Sequence, residues 1–432
     1  MPVLPMQISD DKDMNSLKMR RVLWFTHHLR GGGAEKAVVA LSEYFNAHPR
    51  LGYESYICVV YDDPELHAKL QNVLVLQHRS KPEDSKARKA LCVLRQMKEL
   101  RKLKEQWKID VCVSFLPGAD ILNVHSGKRS AAVVSVRNVE SRFTHSIWKK
   151  LYVQNSYNRC NRIVTVSELA HHDVVDFFHA EPSKVTTIYN MLPDKSATKP
   201  VVHPAVTAET ADSADGTADR TRGTSATWRE FILFIKGKKT FLNVARLSPE
   251  KGQEYLLRAF SKVHEVMPDT CLVIAGSGPM QQDLTALASD LGIRQSVLFT
   301  GNVPDPENYM ARADVFVLSS MIEGMPNAVL EAMQAGLPVI ATECGAREIL
   351  APDTDPLMMT KTEDDVQYGV LVPAGDVPAL SGAMLHLMQD HELCRIYSEK
   401  GRERTRDFAP EEIAAKWKSV LDSSLTAALT AD

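Results

Sequence analysis

Short apolar stretches alternate with helical segments along this chain, and the alternation runs twice. The stretches are apolar throughout rather than at every second position. Arg21–Leu29 (RVLWFTHHL), Ser55–Tyr61 (SYICVVY), Val111–Phe115, Ala132–Val136 (AVVSV) and Arg162–Val166 (RIVTV) form the first series. Lys239–Val244 (KTFLNV), Cys271–Ala275, Val297–Phe299, Ala313–Leu318 (ADVFVL) and Pro338–Ala341 form the second. Helical periodicity falls between them, over Ala34–Phe45, Lys86–Lys108, Gly252–Val266, Met280–Leu291 and Asn327–Ala335. Strands buried on both faces and joined by helices imply parallel sheets covered on both sides. The expected class is α/β, with two Rossmann-like doubly wound domains and a ligand cleft between them.

At 432 residues the chain is too long for one ordinary core. The expected domains are 1–192 and 231–407. Residues 193–230, rich in Ala, Thr, Ser, Asp and Gly, read as a flexible linker or insertion. Residues 408–432 read as a helix packing back toward the first domain, with Ile413, Trp417, Val420 and Leu421 on one face. A formal net charge of -3 gives no global call for nucleic acid. No apolar run reaches the roughly 20 residues a membrane span needs. The first fifteen residues carry acids and no apolar core of a signal peptide. Seven cysteines without a CxxC pair read as reduced thiols. Together these lead us to expect a cytoplasmic location.

The most informative stretch is Glu323–Thr342 (EGMPNAVLEAMQAGLPVIAT). A strand ends just before it, and a helix starts at Asn327 behind Pro326, which needs no N–H there. The N–H groups at such a helix start attract anions. Glu323 precedes the helix and Glu331 lies one to two turns inside it. Carboxylates there can accept from sugar hydroxyls; the bland alternative is a solvated pair at a helix start. Arg246 and Lys251, in RLSPEKG after another strand, provide a fork and a point charge suited to a diphosphate. They are equally compatible with an ordinary surface loop.

Taken together, these motifs resemble family 4 of the retaining glycosyltransferases, which have the GT-B fold. Glu323, seven residues, Glu331 and then AMQAGLPVIAT carry the resemblance. NVARLSPEKG (243–252), LVIAGSGP (272–279), FTGNV (299–303), TVSE (165–168), IYN (188–190) and GGGAE (31–35) extend it over most of the chain. The resemblance implies transfer of a sugar from a nucleotide donor with retained configuration. It implies that Arg246 and Lys251 hold the diphosphate and that Glu331 accepts from the ribose hydroxyls. Glu323 would contact the transferred sugar, with main-chain groups of Gly324, Met325 and Asn327 near the sugar and β-phosphate. Gly301, Asn302 and Val303 would face the base, and the Gly31, Gly32, Gly33 loop would lie beside the phosphates.

Many family members carry a first-domain histidine facing the sugar. Here the corresponding strand ends in Arg137–Asn138. Arg137 is the candidate replacement, with His125 and His145 as neighbours in sequence. Asp353–Asp355 reads D-x-D but sits between prolines, and we give it a structural reading with no metal. No cofactor is expected beyond the nucleotide-sugar substrate. The helix Lys86–Lys108 pairs a basic face with an apolar stripe of Leu94, Met97, Leu100, Leu103 and Trp107. The stripe reads either as core-facing or as suited to an anionic membrane surface.

The expected function is transfer of a hexose or N-acetylhexosamine, from a UDP-sugar, to a glycan or lipid-linked acceptor in cell-surface polysaccharide synthesis. Location would be cytoplasmic, peripheral on the inner face of the plasma membrane. The alternatives are a nucleotide-sugar epimerase or hydrolase on the same fold, and a non-catalytic nucleotide-sugar-binding subunit.

Overall fold

The computed structural model describes residues 19–29, 32–61, 70, 72–81, 83–127, 130–193 and 222–429. It divides into two compact units. One holds the chain up to Val166, Ala170–Met191 and Pro410 onward. The other holds Ser167–Leu169 and Leu192–Ala409.

The first unit contains β1 (Arg20–Thr26), β2 (Tyr53–Val59), β3 (Val73–Val75), β4 (Val111–Phe115), β5 (Ala131–Val136), β6 (Arg162–Thr165) and β7 (Val185–Thr187). They form one sheet in the order β3-β2-β1-β4-β5-β6-β7. Every pairing is parallel. The short strands β3 and β7 escaped the sequence reading because three residues carry too little periodicity. One face of the sheet is closed by the helix Pro410–Leu429, whose Trp417 meets Trp24 edge-on at 5.4 Å and stacks near Phe115 at 6.3 Å. Ile413, Val420 and Leu421 are buried with it, because their spacing puts them on one helical face.

The second unit contains β8 (Lys239–Val244), β9 (Thr270–Ala275), β10 (Val297–Gly301), β11 (Val315–Leu318), β12 (Val339–Thr342), β13 (Asp364–Val366) and β14 (Gly369–Val372). Their order is β10-β9-β8-β11-β12-β14-β13, and only β13 runs antiparallel to its neighbour. Both sheets reverse strand order at the same place, between β1 and β4 and between β8 and β11. Such switch points open a crevice at the carboxyl ends of the strands, where doubly wound folds bind ligands.

One expectation needs correction. The helix Arg222–Ile235 begins inside the segment read as a linker, while 194–221 lies outside the described residues. Trp228 and Phe231 sit three apart on one helical face and pack on the ring of Tyr309, at 5.2 and 4.5 Å. Burying three rings offsets the ordering cost of a stretch otherwise poor in large apolar side chains.

The basic helix spans Lys86–Gln106. Leu100 is buried, and Met97, Leu103 and Trp107 pack around it, so most of the stripe is core-facing. Leu94 leaves that face and is 56% exposed. Lys104, four residues after Leu100, turns inward instead. Its ammonium donates to the Asn123 carbonyl at 3.2 Å, to Asn123 Oδ1 at 2.8 Å and to Ser126 Oγ at 2.8 Å. Burial pushes its pKa down. All seven cysteines are free thiols, six of them buried.

Candidate functional site

At the switch point of the second sheet, loops leaving β8 and β11 are locked together. After β8 the chain runs through Arg246 to a short 3-10 turn, Pro249–Lys251, and then Gly252 at φ 62°. A side chain at 252 would meet the Ser319 carbonyl at 2.2 Å, so only glycine permits this approach. Ser319 Oγ donates to the Lys251 carbonyl at 2.9 Å, and the Met321 N–H donates to the Glu250 carbonyl at 2.8 Å. Gln253 Nε2 donates to the Arg246 carbonyl at 2.9 Å and holds the start of the same loop.

These loops bring Lys251 and Glu323 together, 72 residues apart in sequence. Lys251 Nζ lies 2.5 Å from Glu323 Oε1, and Ser320 Oγ donates to the same oxygen at 2.9 Å. Both side chains are mostly sheltered, at 21% and 16% exposure. Arg246 is exposed on the same loop. Gly324, Met325 and Pro326 are buried and lead into the helix Asn327–Ala335, whose first turn carries no side-chain cap. Glu331 lies just beyond that first turn, half-buried. A helix start without an acidic residue in its first turn, just after the Lys251–Glu323 pair, suits an anionic group.

Neighbouring loops extend the same edge. The Gly276 N–H donates to the Gly301 carbonyl at 2.8 Å, tying the end of β10 to that of β9. A Cβ at Gly276 would sit 2.0 Å from the Ala245 carbonyl, and one at Gly278 would sit 2.2 Å from that of Leu247. A Cβ at Gly345, after β12, would lie 2.9 Å from the carbonyls of both Glu323 and Gly324. Gly301, Asn302 and Val303 therefore leave β10 one strand beyond the end of β9 that touches the Arg246 loop. Asp355 caps its own turn by accepting from the Leu357 N–H at 2.9 Å. Among the described residues no cluster of three metal-ligating side chains occurs, at Asp353–Asp355 or elsewhere.

The first unit offers a different set. Gly32 and Gly33 open the helix Gly33–Ala47 after β1, and Gly31 lies outside the described residues. A Cβ at Gly32 would meet Glu35 Oε2 at 2.2 Å, so the carboxylate folds back over the glycine. Arg137 follows β5 directly. Its Nη2 donates to Asn190 Oδ1, and its guanidinium lies 5.5 Å over the Phe115 ring. Burial lowers its pKa to about 10. His125 ends the helix Pro117–His125, ~13 Å along that helix from the carboxyl edge. His145 is exposed before the helix Ile147–Arg159. Neither shares the Arg137 position.

Sequence reasoning missed His27. It follows β1, and a Cβ at Gly118 would lie 2.5 Å from its Cε1. Burial lowers its pKa, and His28 lowers it further, which favours a neutral imidazole at the carboxyl edge. Leu116, at the end of β4, has φ 77°, a strained value for a leucine and one that recurs near functional sites. Ser319, Ser320 and Gln253 were missed as well. Ser319 acts on Lys251, 68 residues away, while Ser320 and Gln253 act on Glu323 and Arg246 within their own loops, where serine and glutamine carry no distinguishing pattern.

Comparison with known proteins agrees with this fold. The model of Glycosyltransferase Family 4 matches residues 31–194, and that of Glycosyl transferases group 1 matches 224–404. An uncharacterised glycosyltransferase of Methanocaldococcus jannaschii is 30% identical over 215 residues, covering 46% of this chain and 53% of that one. The chain thus spans about half the length of that relative. A Campylobacter jejuni enzyme is 22% identical over 407 residues, covering 92% of this chain and 98% of that one. It is the N-acetylgalactosamine-N,N'-diacetylbacillosaminyl-diphospho-undecaprenol 4-alpha-N-acetylgalactosaminyltransferase. The crystal structure of Anabaena HepE with UDP and glucose superposes with a TM-score of 0.72 at 17% identity, covering 94% of this chain and 100% of that one. With both family halves matched in order and the fold shared, the chain belongs to the GT-B glycosyltransferases of family 4.

Proposed function

We propose that this glycosyltransferase moves a hexose or N-acetylhexosamine from a UDP-sugar to a glycan or lipid-linked acceptor, with retention and without a metal. The product would serve cell-surface polysaccharide synthesis, at the inner face of the plasma membrane. The observation that carries the reading is the meeting of Lys251, Glu323 and the start of the helix Asn327–Ala335 at the β8/β11 switch point. A departing diphosphate gathers negative charge, and fixed cations and amides placed where charge develops lower the barrier. Arg246 and Lys251 supply the charge a divalent ion would otherwise bring. Lys251 is already held by Glu323, so donor binding exchanges one anionic partner for another, leaving Glu323 to accept from sugar hydroxyls. The UDP in HepE and the diphospho-undecaprenol of the Campylobacter enzyme support the donor and acceptor classes.

The test supplies UDP-sugars and diphospho-polyprenol acceptors in chelator and follows the anomeric configuration of the product by NMR. Acceptor-dependent transfer with retention is expected. Glu331→Ala, Arg246→Ala and Lys251→Ala should each lose about 100-fold or more in kcat/KM. Hydrolysis or epimerisation without acceptor, or tight donor binding without turnover, would replace transfer by one of the two alternatives.

A further inference from the structure

Trp148 is 78% exposed, and Ile147 beside it is 63% exposed. With Phe143, Leu151 and Tyr152, also exposed, they crowd the first turns of the helix Ile147–Arg159 and the turn before it. At 100° per residue, Trp148, Leu151 and Tyr152 share one face. The buried Val153 and Tyr157 occupy the opposite face. The core therefore claims one side of this helix and leaves a second apolar side outward.

We propose that this outward face docks on an anionic lipid surface. Charge identifies the occupant. Residues 141–159 carry Arg142, Lys149, Lys150 and Arg159 and no carboxylate, in a chain whose net charge is -3. Lys149 donates to the Phe143 carbonyl at 2.8 Å, and the Lys150 ammonium lies 4.1 Å over the Phe177 ring. Lys149 is thus held beside the apolar patch, while Lys150 lies on the other flank of the helix, over Phe177. Trp, Tyr and aliphatic side chains framed by Lys and Arg suit the interfacial layer of a membrane. The other exposed apolar loop, Leu357–Met359, is framed by Asp353, Asp355, Glu363 and Asp364 and would be repelled there. The basic helix Lys86–Gln106 turns most of its apolar stripe into the core and leaves Leu91 and Leu94 outward, with no exposed aromatic ring beside them.

Placement fits use. The helix follows β5 after Arg137 and a short turn, so its first turns lie near the carboxyl edge of the first sheet. This gives the lipid-linked acceptor of the proposed function a route of approach, and in that sense rests on it.

The experiment is co-sedimentation of the full chain with vesicles of phosphatidylcholine, alone or mixed with phosphatidylglycerol, without donor or acceptor. The wild type should bind the mixed vesicles and largely ignore the neutral ones. Ile147→Ser, Trp148→Ser and Leu151→Ser combined should abolish binding with an unchanged melting temperature. Arg142→Gln with Arg159→Gln should weaken it about tenfold. Leu357→Ser with Met359→Ser should leave it unchanged. Equal sedimentation of the apolar triple variant, equal binding to both vesicles, or no binding by the wild type overturns the proposal. So does a wild-type dimer in solution that the triple variant breaks, which would assign the face to a second copy. Transfer to a water-soluble acceptor separates the two claims. If it persists without vesicle binding, only the docking fails; vesicle binding by an inactive protein sinks only the transfer.

Discussion

The carboxyl edges of the two sheets share a strand order and are built by different means. In the second unit, loops lock through main-chain contacts that glycines permit: Gly252 on Ser319, Gly276 on Ala245, Gly278 on Leu247 and Gly345 on Glu323 and Gly324. The charged pair Lys251–Glu323 sits on that close-packed main chain, with Ser319, Ser320 and Gln253 adding neutral hydrogen bonds. In the first unit, side chains set the frame. Arg137 reaches Asn190 across 53 residues, His27 rests on Gly118, and Leu116 is strained. The buried Glu140 has its carboxyl pushed up to about 7 by burial, with Asp173 raising it further against Lys149. A main-chain frame tolerates ligand exchange at its charged pair, whereas a frame of buried ionisable groups ties local stability to pH.

Three experiments would break or sharpen that contrast. The largest effect concerns Glu140. A raised carboxyl pKa contributes stability that is complete below about 4.5 and declines as pH rises through about 7. Unfolding free energy should fall by up to about 3 kcal/mol over that range, and Glu140→Gln should flatten the decline. Denaturant midpoints at pH 5 and pH 8 measure this, and parallel curves for the two proteins would contradict it. Next is Arg137→Met, expected to cost about 10–100-fold in turnover, as for a lost hydrogen bond to a charged group. UDP affinity should hold. A fall in UDP affinity instead would move Arg137 into the donor site. The smallest effect is Gly252→Ala, expected to destabilise by about 1–3 kcal/mol through overpacking against Ser319. An unchanged melting temperature would show that the interlock yields readily.

The same contrast decides what was legible in the sequence. The two parallel sheets followed from fully apolar runs, and the buried face of the closing helix from the spacing of Ile413, Trp417, Val420 and Leu421; the strand order and the short strands did not. Glu323 and Glu331 were singled out by the spacing of one motif, and the Arg246–Lys251 loop by a second. The Lys251–Glu323 pair was not, since it depends on how closely two loops approach. His27 was hidden because a histidine after a strand looks like any other until Gly118 lies against it. The inward turn of Lys104 was not legible because its pocket is built by Asn123 and Ser126, far along the chain. Trp228 was lost inside a biased segment whose composition outweighed one ring.

The central claim is that a nucleoside diphosphate binds where the Arg246–Lys251 loop meets the start of the helix Asn327–Ala335. Titration calorimetry of UDP, with GDP in parallel, tests it most directly, using the wild type, Arg246→Ala and Lys251→Ala in chelator. The account predicts metal-free binding of at least one nucleotide by the wild type, weakened about tenfold or more in each variant. Equal affinities in all three proteins, with melting temperatures unchanged, would contradict it.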